Sequence, residues 1–158
     1  MQLSLLDQFS PEPDPSFCTV QRRDLGRGAW LEYVPGWVKG HHQLMHELIA
    51  TCDWQRHRRG MYDRVVDVPR LVAGAPGSST SIEWNVAEIS VMPSRAPLEE
   101  IKRASDRLAQ LSAMLGLRYK RTLSQISLGY YRDGRDSVAY HGDKMGPLFT
   151  IRSSLSCR

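Results

Sequence analysis

Apolar positions follow a helical period in two stretches of the chain and a shorter, strand-like rhythm elsewhere. Between His41 and Thr51, Leu44, Leu48 and Ile49 recur at helical spacing, which predicts an amphipathic helix of about three turns. The spacing predicts a longer helix over 97–115, with Leu98, Ile101, Leu108, Leu111 and Leu115 as its apolar stripe. Pro97 suits the first helical position, Glu99 and Glu100 favour the positive N-terminus, and Gly116 supplies a stop. Residues 17–38 hold short apolar pieces around Gly26, Gly28, Pro35 and Gly36, predicting a strand or two joined by turns. Residues 61–72 mix β-branched and polar residues as a strand does, 74–80 reads as a loop, and Ile82, Trp84, Val86, Ile89 and Val91 mark another strand in 81–92. Two further runs, 123–131 and 137–143, flank the turn signal Arg132-Asp133-Gly134. The Pro-rich residues 8–16 cannot continue a helix or a central strand, so 1–16 is expected to be a flexible arm. No internal repeat is present, and the order of elements is that of an α+β domain with a sheet-rich second half.

Length and composition narrow this picture. A chain of 158 residues is one domain able to bury a core. No apolar run approaches the roughly 20 residues of a membrane span, and Met1–Asp7 has no basic segment leading into an apolar one, so a soluble, cytoplasmic monomer is expected. Cys18, Cys52 and Cys157 form no CxxC pair or zinc pattern and read as reduced thiols. The net charge of +4 is carried mostly by arginine, whose planar fork matches phosphate. The densest cluster, Arg56, His57, Arg58 and Arg59 with Arg64 beyond, is the expected phosphate-contacting stretch, although arginine-biased surface charge explains the composition equally well. His42 and His46 are four apart on the first helix, but no nearby ligand completes a metal site, so they read as surface or half-buried histidines.

Candidate chemistry concentrates in Tyr131-Arg132-Asp133-Gly134-Arg135-Asp136-Ser137-Val138-Ala139-Tyr140-His141-Gly142-Asp143. In a strand, His141 and Asp143 share a face, and one imidazole with one carboxylate makes two thirds of the facial triad that holds non-haem Fe(II). The whole run resembles the signature of the AlkB-like branch of Fe(II)/2-oxoglutarate-dependent dioxygenases. Met61-Tyr62-Asp63-Arg64-Val65-Val66 and Pro69-Arg70-Leu71 are similar to that family's segment ahead of the core barrel, and the resemblance spans roughly 20–146. It implies the N-terminal part of a double-stranded β-helix, a jelly roll with packing helices, over residues 17–146. It implies oxidative dealkylation of N-alkylated bases in DNA or RNA, with Fe(II) as cofactor and 2-oxoglutarate as co-substrate. By position, His141 and Asp143 match two iron ligands and Tyr131 a tyrosine that hydrogen-bonds 2-oxoglutarate. An aromatic of the sheet core is the other reading of Tyr131. Gly129 stands where many members have asparagine. Met61, Tyr62 and Arg70 fall in the region similar to the family's substrate-recognition side, where core or surface roles are equally open.

The family's second iron-binding histidine and two co-substrate arginines lie further along than Asp143. Residues 147–158 do not resemble those strands and read as an atypical tail, so the barrel is expected to be incomplete and dioxygenase activity weak or absent. The rival expectation is a catalytically inactive, nucleic-acid-binding remnant. Binding would weaken with salt in either case, but only an enzyme would lose an activity in His141→Ala.

Overall fold

The structure, a computed structural model, describes residues 10–61, 63–77, 88–123 and 125–138, with Met61 as backbone alone. It is an α+β arrangement of two helices and antiparallel sheets, and the sheets do not close into a barrel among the described residues. Short strands β1 (Glu12–Pro13) and β4 (Val38–Lys39) pair with each other, and β2 (Gln21–Gly26) forms a hairpin with β3 (Ala29–Tyr33). Helix α1 (His41–Thr51) follows, then β5 (Trp54–Met61), β6 (Arg64–Asp67), β7 (Leu71–Gly74), β8 (Glu88–Met92), helix α2 (Leu98–Tyr119) and β9 (Ser127–Tyr130).

Strand β5 is the centre of the main sheet. Gln55 pairs with both Val72 and Val91, and Arg58 with both Asp67 and Glu88, so β8 lies along one edge and β6 and β7 along the other. The 61–72 run is thus two strands where one was expected. They part at Val68-Pro69-Arg70, where proline has no N–H to give the ladder and Arg70 N bonds back to Val68 O at 2.8 Å. β9 completes the sheet against β7, with Leu71 opposite Tyr130. Strand β5 escapes a reading by apolar pattern because Gln55 to Arg59 offers no aliphatic residue. Its place comes from Trp54 and from neighbours on both sides.

Two buried clusters join the sheet to the helices. Val38, Leu44, Leu108 and Leu111 form one; Cys52, Trp54, Leu71 and Ala73 form the other, and Leu48 and Leu128 touch both. The last carbonyls of α1 are satisfied from outside the helix: Leu48 O by Cys52 N, Ile49 O by the Trp54 indole at 3.1 Å, and Ala50 O by Ser94 Oγ at 2.8 Å. Between the helices, Glu47 and Arg107 face each other at 3.4 Å, an ion pair without hydrogen-bond geometry.

Three expectations need correcting. Of the arm, residues 12–16 are held: Pro13 is buried, Asp14 N bonds to Trp37 O at 2.7 Å, and the Trp37 indole donates to Asp14 O. Phe17 stacks on Trp37 at 5.3 Å. Nor does α2 stop at Gly116. It continues to Tyr119 and ends on Lys120 in the left-handed region, with Arg121 N donating to Gly116 O and Lys120 N to Leu117 O. A Cβ on Gly116 would lie 2.8 Å from the Arg121 carbonyl oxygen, so glycine is needed here for the returning backbone. Leu98, expected in the apolar stripe, is instead exposed, and Ala104 takes a buried place beside Leu108 and Leu111.

Gly116→Ala is therefore expected to lower stability by about 1–2 kcal/mol, although alanine favours helix interiors by about 1 kcal/mol. Lys120→Gly should raise it by a few tenths to about 1 kcal/mol by relieving a left-handed lysine. Urea unfolding of both variants checks the pair; stabilisation by Gly116→Ala contradicts the close approach.

Candidate functional site

Strand parity divides the arginine cluster between two faces of the sheet. Arg56 and Arg58 share the parity of Trp54; Gln55, His57 and Arg59 share the other. Arg58 is held between its cross-strand neighbours, 2.7 Å from Glu88 and 3.3 Å from Asp67. Its guanidinium pKa is raised, first by the hydrogen bond to Glu88. A phosphate reaching Arg58 has to compete with two carboxylates. Arg56 is exposed, and Arg64 opens β6 exposed and opposite Met61. Tyr62, His141 and Asp143 lie outside the described residues.

The second face brings together residues that the sequence names only separately. His57 is 3% exposed, the most buried ionisable side chain of the sheet, and its Nε2 lies 3.0 Å from Gln55 Oε1. Burial lowers its pKa, and the nearby Arg59 and Arg70 lower it further, so the ring is neutral at pH 7. With Gln55 oriented this way, Nε2 carries the proton and Nδ1 is left as an acceptor. Across the sheet, Gln55 aligns with Val72 and Val72 with Gly129, which puts Tyr131, two residues on, on the same face. A Cβ on Gly129 would meet the Tyr131 ring at 3.4 Å and Arg70 Cδ at 3.9 Å, so Tyr131 and Arg70 converge over this glycine. Tyr131 is 48% exposed, and the aromatic of the core is its neighbour Tyr130, packed 5.4 Å from Trp54. Seeing His57 in the sequence would have required recognising β5, where alternation sets Gln55, His57 and Arg59 against Trp54, Arg56 and Arg58.

The segment after β9 is tightly turned. Asp136 accepts both Arg132 Nε and Nη2 at 2.7 Å and the Arg132 backbone N–H at 2.9 Å; these hydrogen bonds pull its pKa down to about 2. Ser137 N then donates to Pro69 O at 2.9 Å, fastening the start of the His141 segment to the β6–β7 break. Among the described residues no three His, Cys, Asp or Glu side chains come together as a metal site, and His42 and His46 are exposed. Nor is any helix among them long and apolar enough to cross a membrane. Comparison of the chain with protein-family models, curated proteins and solved structures finds no match.

Proposed function

We propose that this chain forms the N-terminal part of an AlkB-like double-stranded β-helix and serves Fe(II)- and 2-oxoglutarate-dependent oxidative dealkylation of N-alkylated bases in DNA or RNA. One observation carries the reading. Of the two segments that resemble the family, Pro69-Arg70-Leu71 and the described part of the second, 131–138, are neighbours in the fold, through Leu71 opposite Tyr130, which leads into it, and through Ser137 N on Pro69 O. Segments that serve one site need to be neighbours, and local sequence would not require it of two runs so far apart.

His141 and Asp143 offer an imidazole and a carboxylate, a donor set that suits Fe(II). When bound, the metal supplies O₂ activation coupled to oxidation of 2-oxoglutarate. The described residues have the accompanying tasks. The Tyr131 hydroxyl donates a hydrogen bond to the co-substrate. Arg59, Arg64 and Arg70 lend positive charge to the face that receives the phosphate backbone, and buried His57 holds the Gln55 side chain on that face without adding charge.

The test is succinate release from 2-oxoglutarate with Fe(II) and an N-methylated oligonucleotide. Release above the enzyme-free level is expected, and it should fall to that level in His141→Ala. Release untouched by that substitution overturns the reading. Salt-sensitive oligonucleotide binding with no release at all would instead assign a purely binding role.

A further inference from the structure

The main sheet sorts its charges by face. Its described strands hold two carboxylates, Asp67 and Glu88, and both stand opposite Arg58, so both belong to Arg58's face. The His57 face has no acid within those strands: Val66 lies opposite Arg59, Ile89 opposite His57, and Val91 opposite Gln55. The acids that follow Tyr131 are engaged elsewhere, Asp136 by Arg132 and Asp133 by Arg135.

Arg70 lies on this acid-free face. Arg58, Arg118, Arg132 and Arg135 are each ion-paired. Arg70 is half-buried, yet among the described residues its guanidinium has neither a carboxylate nor a hydrogen-bond acceptor. A cation drawn partly out of water with no counter-charge costs stability, and such a local violation is expected where a ligand brings the anion. Its neighbour is a second donor. Arg70 Cδ and the Tyr131 ring lie 3.9 and 3.4 Å from the place a Gly129 Cβ would take, and glycine leaves that place without a side chain. Arg59 and Arg64 are exposed, where a phosphate backbone can reach them, whereas the partial burial of Arg70 favours a smaller anion.

We infer that Arg70 and Tyr131, meeting over Gly129, form a subsite for a small-molecule carboxylate, the guanidinium holding both carboxylate oxygens and the phenol donating a further hydrogen bond. The choice of ligand rests on the proposed function: the carboxylate is one of the two of 2-oxoglutarate, and Arg70 is its cationic partner. The charge of Arg70 still adds to the field that a phosphate meets, but its direct contact is with the co-substrate.

Calorimetric titration of 2-oxoglutarate into the full chain, in metal-free buffer, tests this by binding alone. Arg70→Gln is expected to bind ~10-fold or more weakly, as loss of charge-assisted hydrogen bonds does, and Tyr131→Phe ~3-fold or more weakly. Arg56→Gln removes the same charge from the opposite face and should stay within ~2-fold of wild type, since water and salt screen an exposed charge. Arg70→Gln should also keep or raise the urea midpoint, because no internal partner is lost. Wild-type affinity in Arg70→Gln overturns the inference, as does an equal loss in Arg56→Gln, a lowered midpoint accompanying the lost binding, or no binding by the wild type. Inorganic phosphate that binds as tightly as 2-oxoglutarate, with the same dependence on Arg70, also overturns it, assigning the subsite to phosphate. Arg70-dependent binding of 2-oxoglutarate without succinate release counts against the dealkylation chemistry alone.

Discussion

Trp54→Ala is expected to lower stability by about 4 kcal/mol, with a melting temperature roughly 10 °C lower, because it empties the centre of one core cluster. Trp54 is 8% exposed and packs with Cys52, Leu71 and Ala73, with Tyr130 alongside. Truncation removes the largest side chain there and leaves Ile49 O, at the end of α1, without its indole donor. Trp54→Phe separates the two losses. It keeps most of the ring's apolar area and should cost about 1–2 kcal/mol, the share of the orphaned carbonyl and the smaller ring. Urea unfolding measures both, and a loss under 1 kcal/mol for the alanine variant would mean that Trp54 does not join α1 to the sheet.

Glu32→Ala should cost about 2–3 kcal/mol, between the values for buried and surface pairs. The carboxylate is 8% exposed, receives Arg118 at 2.9 Å and the Tyr119 hydroxyl at 2.7 Å, and lies 3.7 Å from Arg22. Removing it leaves two guanidiniums facing each other where the hairpin meets α2. Burial raises the Glu32 pKa, but hydrogen bonds from Tyr119 and Arg118 and the charges of Arg118 and Arg22 outweigh it, so the folded value lies below the ordinary 4.5. A lowered folded pKa gives stability that is present above the unfolded value and lost as pH falls through the folded one. The gap between wild type and Glu32→Ala should therefore be widest at neutral pH and close progressively below about 4.5. Asp136, pulled to about 2, adds acid sensitivity of the same sign in both proteins. Unfolding midpoints at pH 7, 4.5 and 3 measure the gap; one that stays constant would show that Glu32 contributes by packing and not by charge.

How far the sequence could be read depended on what each element buries. α1 and the core of α2 were legible because Leu44, Leu108 and Leu111 repeat along one side. The hairpin was legible only as a strand or two joined by turns, through Gly26 and Gly28; in the fold Arg27 and Gly28 both have positive φ, as a two-residue turn between twisted strands requires. β5 was not, because a central strand with arginines on both faces carries no apolar alternation. The end of α2 was misplaced because glycine signals either a stop or a close approach, and here it is the approach. Of the candidate site, Arg70 and Tyr131 could be named individually, but their meeting over Gly129 depends on pairing between β7 and β9 that local pattern does not contain. His57 depended on the same missing strand.

That β7–β9 pairing also orders events in time. Leu71 and Tyr130 are about sixty positions apart in sequence, whereas β2 pairs with β3 and β5 with β6 across short turns. During synthesis both hairpins can form early, yet Trp54, Leu71 and Ala73 await Leu128 and Tyr130, which cover them. The core stays open on one side until β9 has left the ribosome, and the face that joins His57 to Tyr131 is among the last parts of the domain to be assembled.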